Sequence, residues 1–124
     1  MLGTSSINLV LLSKDLDASR VFYADKLQLE VLEESDSAIA YATGSNRITV
    51  TSSTVGTKDD QTKASWRVDD LRAELDWLRS RGVEPENYDS EELKTVDGIA
   101  DRGTVWSAWI IDPDGNALGI EQPK

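Results

Sequence analysis

KDLDASRVFY, Lys14–Tyr23, and VDDLRAELDWL, Val68–Leu78, are the stretches from which the fold can be read. Set against each other at an offset of 55, Asp15, Leu16, Ala18, Phe22 and Tyr23 fall on Asp70, Leu71, Ala73, Trp77 and Leu78. The chain therefore carries an internal repeat. Each aspartate stands ahead of apolar residues at helical spacing, where its carboxylate can accept a bond from an otherwise free first-turn N–H. Gly82 stands where the second helix should stop. By equivalence with Phe22, Trp77 is expected to pack between helix and sheet.

Outward from each helix the pattern changes to short strands. Ile7–Leu12 precedes the first helix and Ala64–Val68 the second. Leu27–Glu34, Ser37–Thr43 and Arg47–Ser52 follow the first, and Val83–Tyr88, Thr104–Ile111 and Asn116–Glu121 the second. Gly44-Ser45-Asn46 and Asp112-Pro113-Asp114-Gly115-Asn116 supply turns. The latter run lacks the glycine and glutamate spacing of an EF-hand and reads as a hairpin turn. Aligning the last strands on Asn46 and Asn116 raises the offset to 70, so the second half holds about fifteen extra residues. They fall in Glu86–Gly103, an acidic, turn-rich stretch long enough to serve as a lid.

The order is βαβββ twice. An α+β fold is expected, with two βαβββ modules forming a cupped mixed sheet and helices on the outer face. The 124 residues fit one domain: module 1 at about 5–54, a linker at about 55–62 containing GTKDDQT, and module 2 at about 63–122. Trp66 shares the parity of Ala64 and Val68 and should face the helix layer.

Composition narrows the chemistry. There is no cysteine and no histidine, which removes disulfides, thiolate sites, a cysteine nucleophile and imidazole catalysis. Lys and Arg total 13 against 23 Asp and Glu, a formal charge of −10 that repels phosphate backbones and anionic membranes. No nucleic-acid or membrane partner is expected. Met1–Ser6 lacks the features of a signal peptide, so a cytoplasmic location is expected.

With DPDGNALGIEQ at Asp112–Gln122 added to the two helical stretches, nearly the whole chain resembles the vicinal oxygen chelate superfamily. That superfamily includes glyoxalase I, extradiol dioxygenases, methylmalonyl-CoA epimerase, fosfomycin resistance enzymes and bleomycin resistance proteins. The resemblance implies a homodimer and a hollow holding a divalent metal. It places the ligands on the first and last strands of each module, at Asn8, Thr49, Lys63 and Gly119 here. None of these four is a usual ligand: a charged Lys has no lone pair and Gly has no side chain. No metal and no other cofactor is expected, and catalytic residues stay unassigned.

Strand parity with those positions assigns Asn8, Val10, Thr49, Thr51, Lys63, Ser65, Arg67 and Glu121 to the hollow. Asn8 either orients a ligand or is a hydrated strand end. Lys63 either meets an anionic ligand group or is a solvated linker residue. Glu121 is expected to pair with Lys63 or to contact ligand directly. Trp106 and Trp109 lie at odd separation, so one indole should face the hollow and offer stacking area. Tyr41 and Tyr88 raise the same question.

The leading function is metal-free binding of a small organic molecule, planar or aromatic and carrying an accepting or anionic group. The rivals are a lyase, isomerase or dioxygenase working around Glu121 and Tyr88, and a non-catalytic dimerising module with an empty cup.

Overall fold

The structure, a computed structural model, describes residues 1–124. The chain falls into two compact units, Met1–Lys58 and Asp59–Lys124. Each is a βαβββ module with its own four-stranded mixed sheet, so the α+β class expected from the repeat is the class observed. No helix is long and apolar enough to cross a membrane.

Module 1 runs β1 (Leu9–Ser13), α1 (Leu16–Arg20), a π-helical segment (Val21–Lys26), β2 (Glu30–Glu34), β3 (Ala38–Thr43) and β4 (Asn46–Ser52). The sheet order is β1-β4-β3-β2, with β1 parallel to β4 and the other pairs antiparallel. Asp15 caps α1 as its position predicts, its Oδ1 accepting from the Ala18 N–H at 3.1 Å. Past Arg20 the helix widens, and the Leu27 N–H reaches five residues back to the Phe22 carbonyl at 2.9 Å. That widening lets Phe22 and Tyr23, adjacent in sequence, both turn inward. Their rings meet edge to face at 5.0 Å, and Tyr23 also packs on Tyr41 at 5.4 Å. Gln28 then takes a left-handed φ of 59°, which delays β2 to Glu30 rather than Leu27.

Module 2 runs β5 (Thr62–Arg67), α2 (Leu71–Ser80), β6 (Ala100–Asp101), β7 (Val105–Ile111) and β8 (Ala117–Pro123). Its order, β5-β8-β7-β6, repeats that of module 1. Asp70 caps α2 through the Ala73 N–H at 3.1 Å, and Gln122 of β8 accepts from the Leu71 N–H at 2.8 Å. This ties the helix start to the sheet. Gly82, at φ +82°, ends the helix, and the Val83 N–H returns to the Leu78 carbonyl. Leu71, Leu75 and Leu78 form the buried stripe at helical spacing.

Two expectations fail in module 2. Trp77 is 39% exposed where Phe22 is 5% exposed. In the regular α-helix position 77 lies well off the Leu71–Leu75–Leu78 stripe, whereas the π segment swings its counterpart inward. Val83–Tyr88 is also not a strand: the strand pairing with β7 is Ala100–Asp101. Pro85 has no N–H to give a ladder, and the segment's single bond to β7 runs from the Glu86 N–H to the Trp109 carbonyl at 2.8 Å.

Between these two anchors the extra residues make an ordered excursion. The Asn87 side chain accepts from the Gly98 N–H at 3.0 Å, and the Tyr88 N–H donates to Thr95 Oγ1 at 2.8 Å. Gly98, at φ +81°, lies so close to Pro85 that a Cβ would come within 2.7 Å of its ring. The Asp112–Asn116 run is a hairpin turn, as expected. The buried Asp112 carboxylate accepts from the Asp114 and Asn116 N–H groups and from Asn116 Nδ2, each at 2.8–2.9 Å.

Candidate functional site

Each sheet has one buried face and one open face. In module 1 the register sets Val10 beside Thr49 and Leu12 beside Thr51 on the open face. Asn8 joins them, its Oδ1 accepting from Thr49 Oγ1 at 3.0 Å. The four module 1 residues expected at the site thus share a surface, but two of them satisfy each other. Val10 is 54% exposed. Tyr41, fully buried on the opposite face, takes no part.

The open face of module 2 is richer. Ser65 pairs with Gly119, Arg67 with Glu121, Trp109 with Gly119 and Ser107 with Glu121. All of these but Arg67, with Thr62, Arg102, Val105 and Ile120, line an open pocket of about 370 Å³. Trp109 is therefore the indole on the open face, beside Gly119. Trp106 registers with Asp101 and Gln122 on the other face, and its ring carries the Lys124 ammonium at 4.2 Å. Trp66 sits beside Ile120 on that face too, as its parity predicts.

Trp109 is held from three sides. Its Nε1 donates to Thr62 Oγ1 at 3.2 Å, Tyr88 meets it edge to face at 5.6 Å, and the Arg102 guanidinium lies over the ring, 5.9 Å from its centroid. The bond to Thr62 begins on β7 and ends on β5, crossing the intervening strand β8 at Gly119. A Cβ at Gly119 would lie 3.0 Å from Ser65 Oγ and 3.4 Å from Thr62 Cγ2. The absent side chain is what lets the indole and the two hydroxyls converge.

Two placements differ from strict alternation. The β5–β8 register jumps between Thr62 and Ala64, leaving Lys63 without a partner and bringing Thr62 onto the open face. Lys63 is not among the pocket-lining residues, and its ammonium is bound by Asp59. The expected pairing of Glu121 with Lys63 is thereby corrected: Glu121 accepts from Arg67 at 3.2 Å. Thr62, Ser107 and Arg102 were not foreseen. Ser107 was open to parity counting from Trp109, Thr62 was hidden by the bulge, and Arg102 lay within the stretch read only as a lid.

Burial, helped by the Glu86 and Asp60 carboxylates, pushes the Tyr88 phenol above its ordinary value, so it stays a neutral hydroxyl near pH 7. Asn8, Thr49, Lys63 and Gly119 do not fit a divalent metal. No three carboxylates come together elsewhere in either module to hold one.

Comparison with known proteins agrees with this fold. The sequence profile of the Glyoxalase/Bleomycin resistance protein/Dioxygenase superfamily matches residues 7–120. A structure from Bacillus anthracis described as a glyoxalase family protein is 13% identical, with a TM-score of 0.75 over 98% of this chain and 96% of its own. TnmS3, an antibiotic binding protein from Streptomyces sp. CB03234, is 17% identical, with a TM-score of 0.69 over 98% and 97%. Lactoylglutathione lyase from Agrobacterium tumefaciens is 18% identical, with a TM-score of 0.64 over 96% and 93%. At these identities the likeness is one of fold. No curated protein matches the chain.

Proposed function

The chain belongs to the Glyoxalase/Bleomycin resistance protein/Dioxygenase superfamily, and from that premise we propose that it binds a small planar or aromatic molecule without a metal. The observation that carries the proposal is the Trp109 indole, fixed by Thr62 and Tyr88 beside Gly119. Pre-organised aromatic surface with a few hydroxyls around it suits a flat ligand, because little ordering entropy remains to be lost on stacking. Ser65, Ser107 and Thr62 supply polar partners, and Arg67 with Glu121 forms the rim. An antibiotic binding protein and a lyase both share the fold. Binding is favoured over catalysis here because Glu121 is engaged by Arg67, and Tyr88 is a neutral phenol rather than a base.

The test is a thermal-shift and tryptophan-fluorescence screen of aromatic acids, quinones and aromatic antibiotics, run with and without a chelator. Flat aromatic compounds are expected to raise the melting temperature and perturb indole emission, with no change on chelation. Tightest binding by aliphatic cations, or binding that vanishes with the chelator, overturns the proposal.

A further inference from the structure

We infer that Arg102 is the anion-recognising residue of the Trp109 pocket, and that the planar ligands it selects are aromatic carboxylates or equivalent oxyanions. The inference rests on the planar-ligand proposal and adds charge selection to it. The cations on β5, at the end of β8 and in the β6–β7 turn differ in how they are engaged. Arg67 donates to Glu121, Lys63 to Asp59, and Lys124, at the other end of β8, to Asp101. Arg102 has no carboxylate partner, and its guanidinium rests over the Trp109 ring. A guanidinium over an indole is attracted by the ring quadrupole, but its N–H donors are left without acceptors there.

The backbone aims this side chain. Asp101, the last residue of β6, registers with Trp106 on the helix-bearing face. Arg102, one residue on, lines the opposite, open face. The turn that carries it is tight. The Arg102 N–H donates to the Val105 carbonyl at 2.9 Å, Gly103 takes φ +88°, and the Gly103 N–H is bound by Asp101 at 2.9 Å. Asp101 is itself anchored by Lys124 at 2.5 Å. A flat ligand stacking on Trp109 would move the guanidinium off the ring face. A carboxylate on the ligand's edge then offers the bidentate acceptor that a planar guanidinium fits. The carboxylate of Glu121 is already compensated by Arg67, so of the charged lining residues Arg102 is the one without an ion-pair partner, although the chain as a whole carries −10.

The test compares 2-naphthoate with 2-naphthamide, which share a ring system and differ in charge. Binding is measured by calorimetry, and the Trp109 indole N–H is followed by NMR after assignment with Trp109→Phe. The carboxylate is expected to bind about tenfold more tightly, the scale of one charge-assisted hydrogen bond. Arg102→Met keeps the stem over the indole and removes the charge, so it should abolish that preference. Arg102→Lys should keep part of it. If both ligands bind the native protein equally, or Arg102→Met retains the preference, the inference fails and the planar-ligand proposal stands. If neither ligand shifts the Trp109 resonance, both fall together.

Discussion

In module 1 the chain leaves its helix and pairs almost at once, with Lys26 ending the π segment and Glu30 opening β2. In module 2 the chain leaves α2 at Ser80 and does not enter the matching strand until Ala100. The two sheets have the same strand order and the same parallel and antiparallel pairs. What differs is what the connection brings. The longer one carries Tyr88 to the edge of Trp109 and ends in the short β6, whose following turn lays Arg102 over the ring, while the open face of module 1 has Val10 and a self-satisfied Asn8–Thr49 pair. Topology is shared between the halves, and the chemistry is concentrated in the half that carries the insertion.

The difference between the helices gives the largest expected effect. Phe22→Ala should cost about 3–5 kcal/mol, the range for a buried aromatic, whereas Trp77→Ala at the equivalent repeat position should cost about 1 kcal/mol. Urea unfolding of the two variants measures this directly. Equal losses would mean that the π segment and the α-helix bury their aromatics alike.

Smaller effects are expected on the open faces. Gly119→Ala should destabilise by about 1–3 kcal/mol, since its Cβ would press on Ser65 and crowd the path of the Trp109–Thr62 bond. At the corresponding position of module 1, Thr49→Ala removes one exposed hydrogen bond and should cost about 0.5–1 kcal/mol. Denaturant midpoints for the pair would sharpen the contrast, and a harmless Gly119→Ala would break it.

How far the sequence reaches follows from which signals are local. The repeat, both aspartate caps and the Asp112–Asn116 hairpin were legible because each depends on a few neighbouring residues. The π segment was not, since the same apolar spacing serves an α-helix and only the burial of both Phe22 and Tyr23 decides between them. Parity counting correctly put one of Trp106 and Trp109 on the open face, and grouped Ser65, Arg67 and Glu121. It failed at Lys63, where a bulge adds a residue without any marker in the sequence. It could not find Arg102, whose position depends on where a long insertion rejoins the sheet.

The smallest expected effect is on acid sensitivity, and it is confined to module 2. The Lys63 ammonium, with help from the Gln61 N–H, holds the Asp59 carboxyl below its ordinary range. Lys124, with the Gly103 N–H, does the same for Asp101. A folded pKa lower than the unfolded one contributes stability above the ordinary carboxylate value of about 4, and that contribution is lost as the pH falls through the folded value. Native stability should therefore decline slightly below about pH 4, and Lys124→Gln should flatten the Asp101 part of that decline. An unchanged slope in urea midpoints across this interval would show that these exposed pairs contribute nothing measurable.

The Trp109–Thr62 bond also has a consequence for the order in which the module comes together. The β7–β8 hairpin closes through the short Asp112–Asn116 turn. By contrast, β5 reaches β8 only by joining residues on either side of a helix, the excursion and that hairpin. Closing so long a loop carries the larger entropy cost and belongs late in folding. The pocket spans that last junction, so a module with only its hairpin formed has no pocket to offer. A ligand held there is linked to global unfolding rather than local fraying, and stabilises the module by RT ln(1 + [L]/Kd) against it.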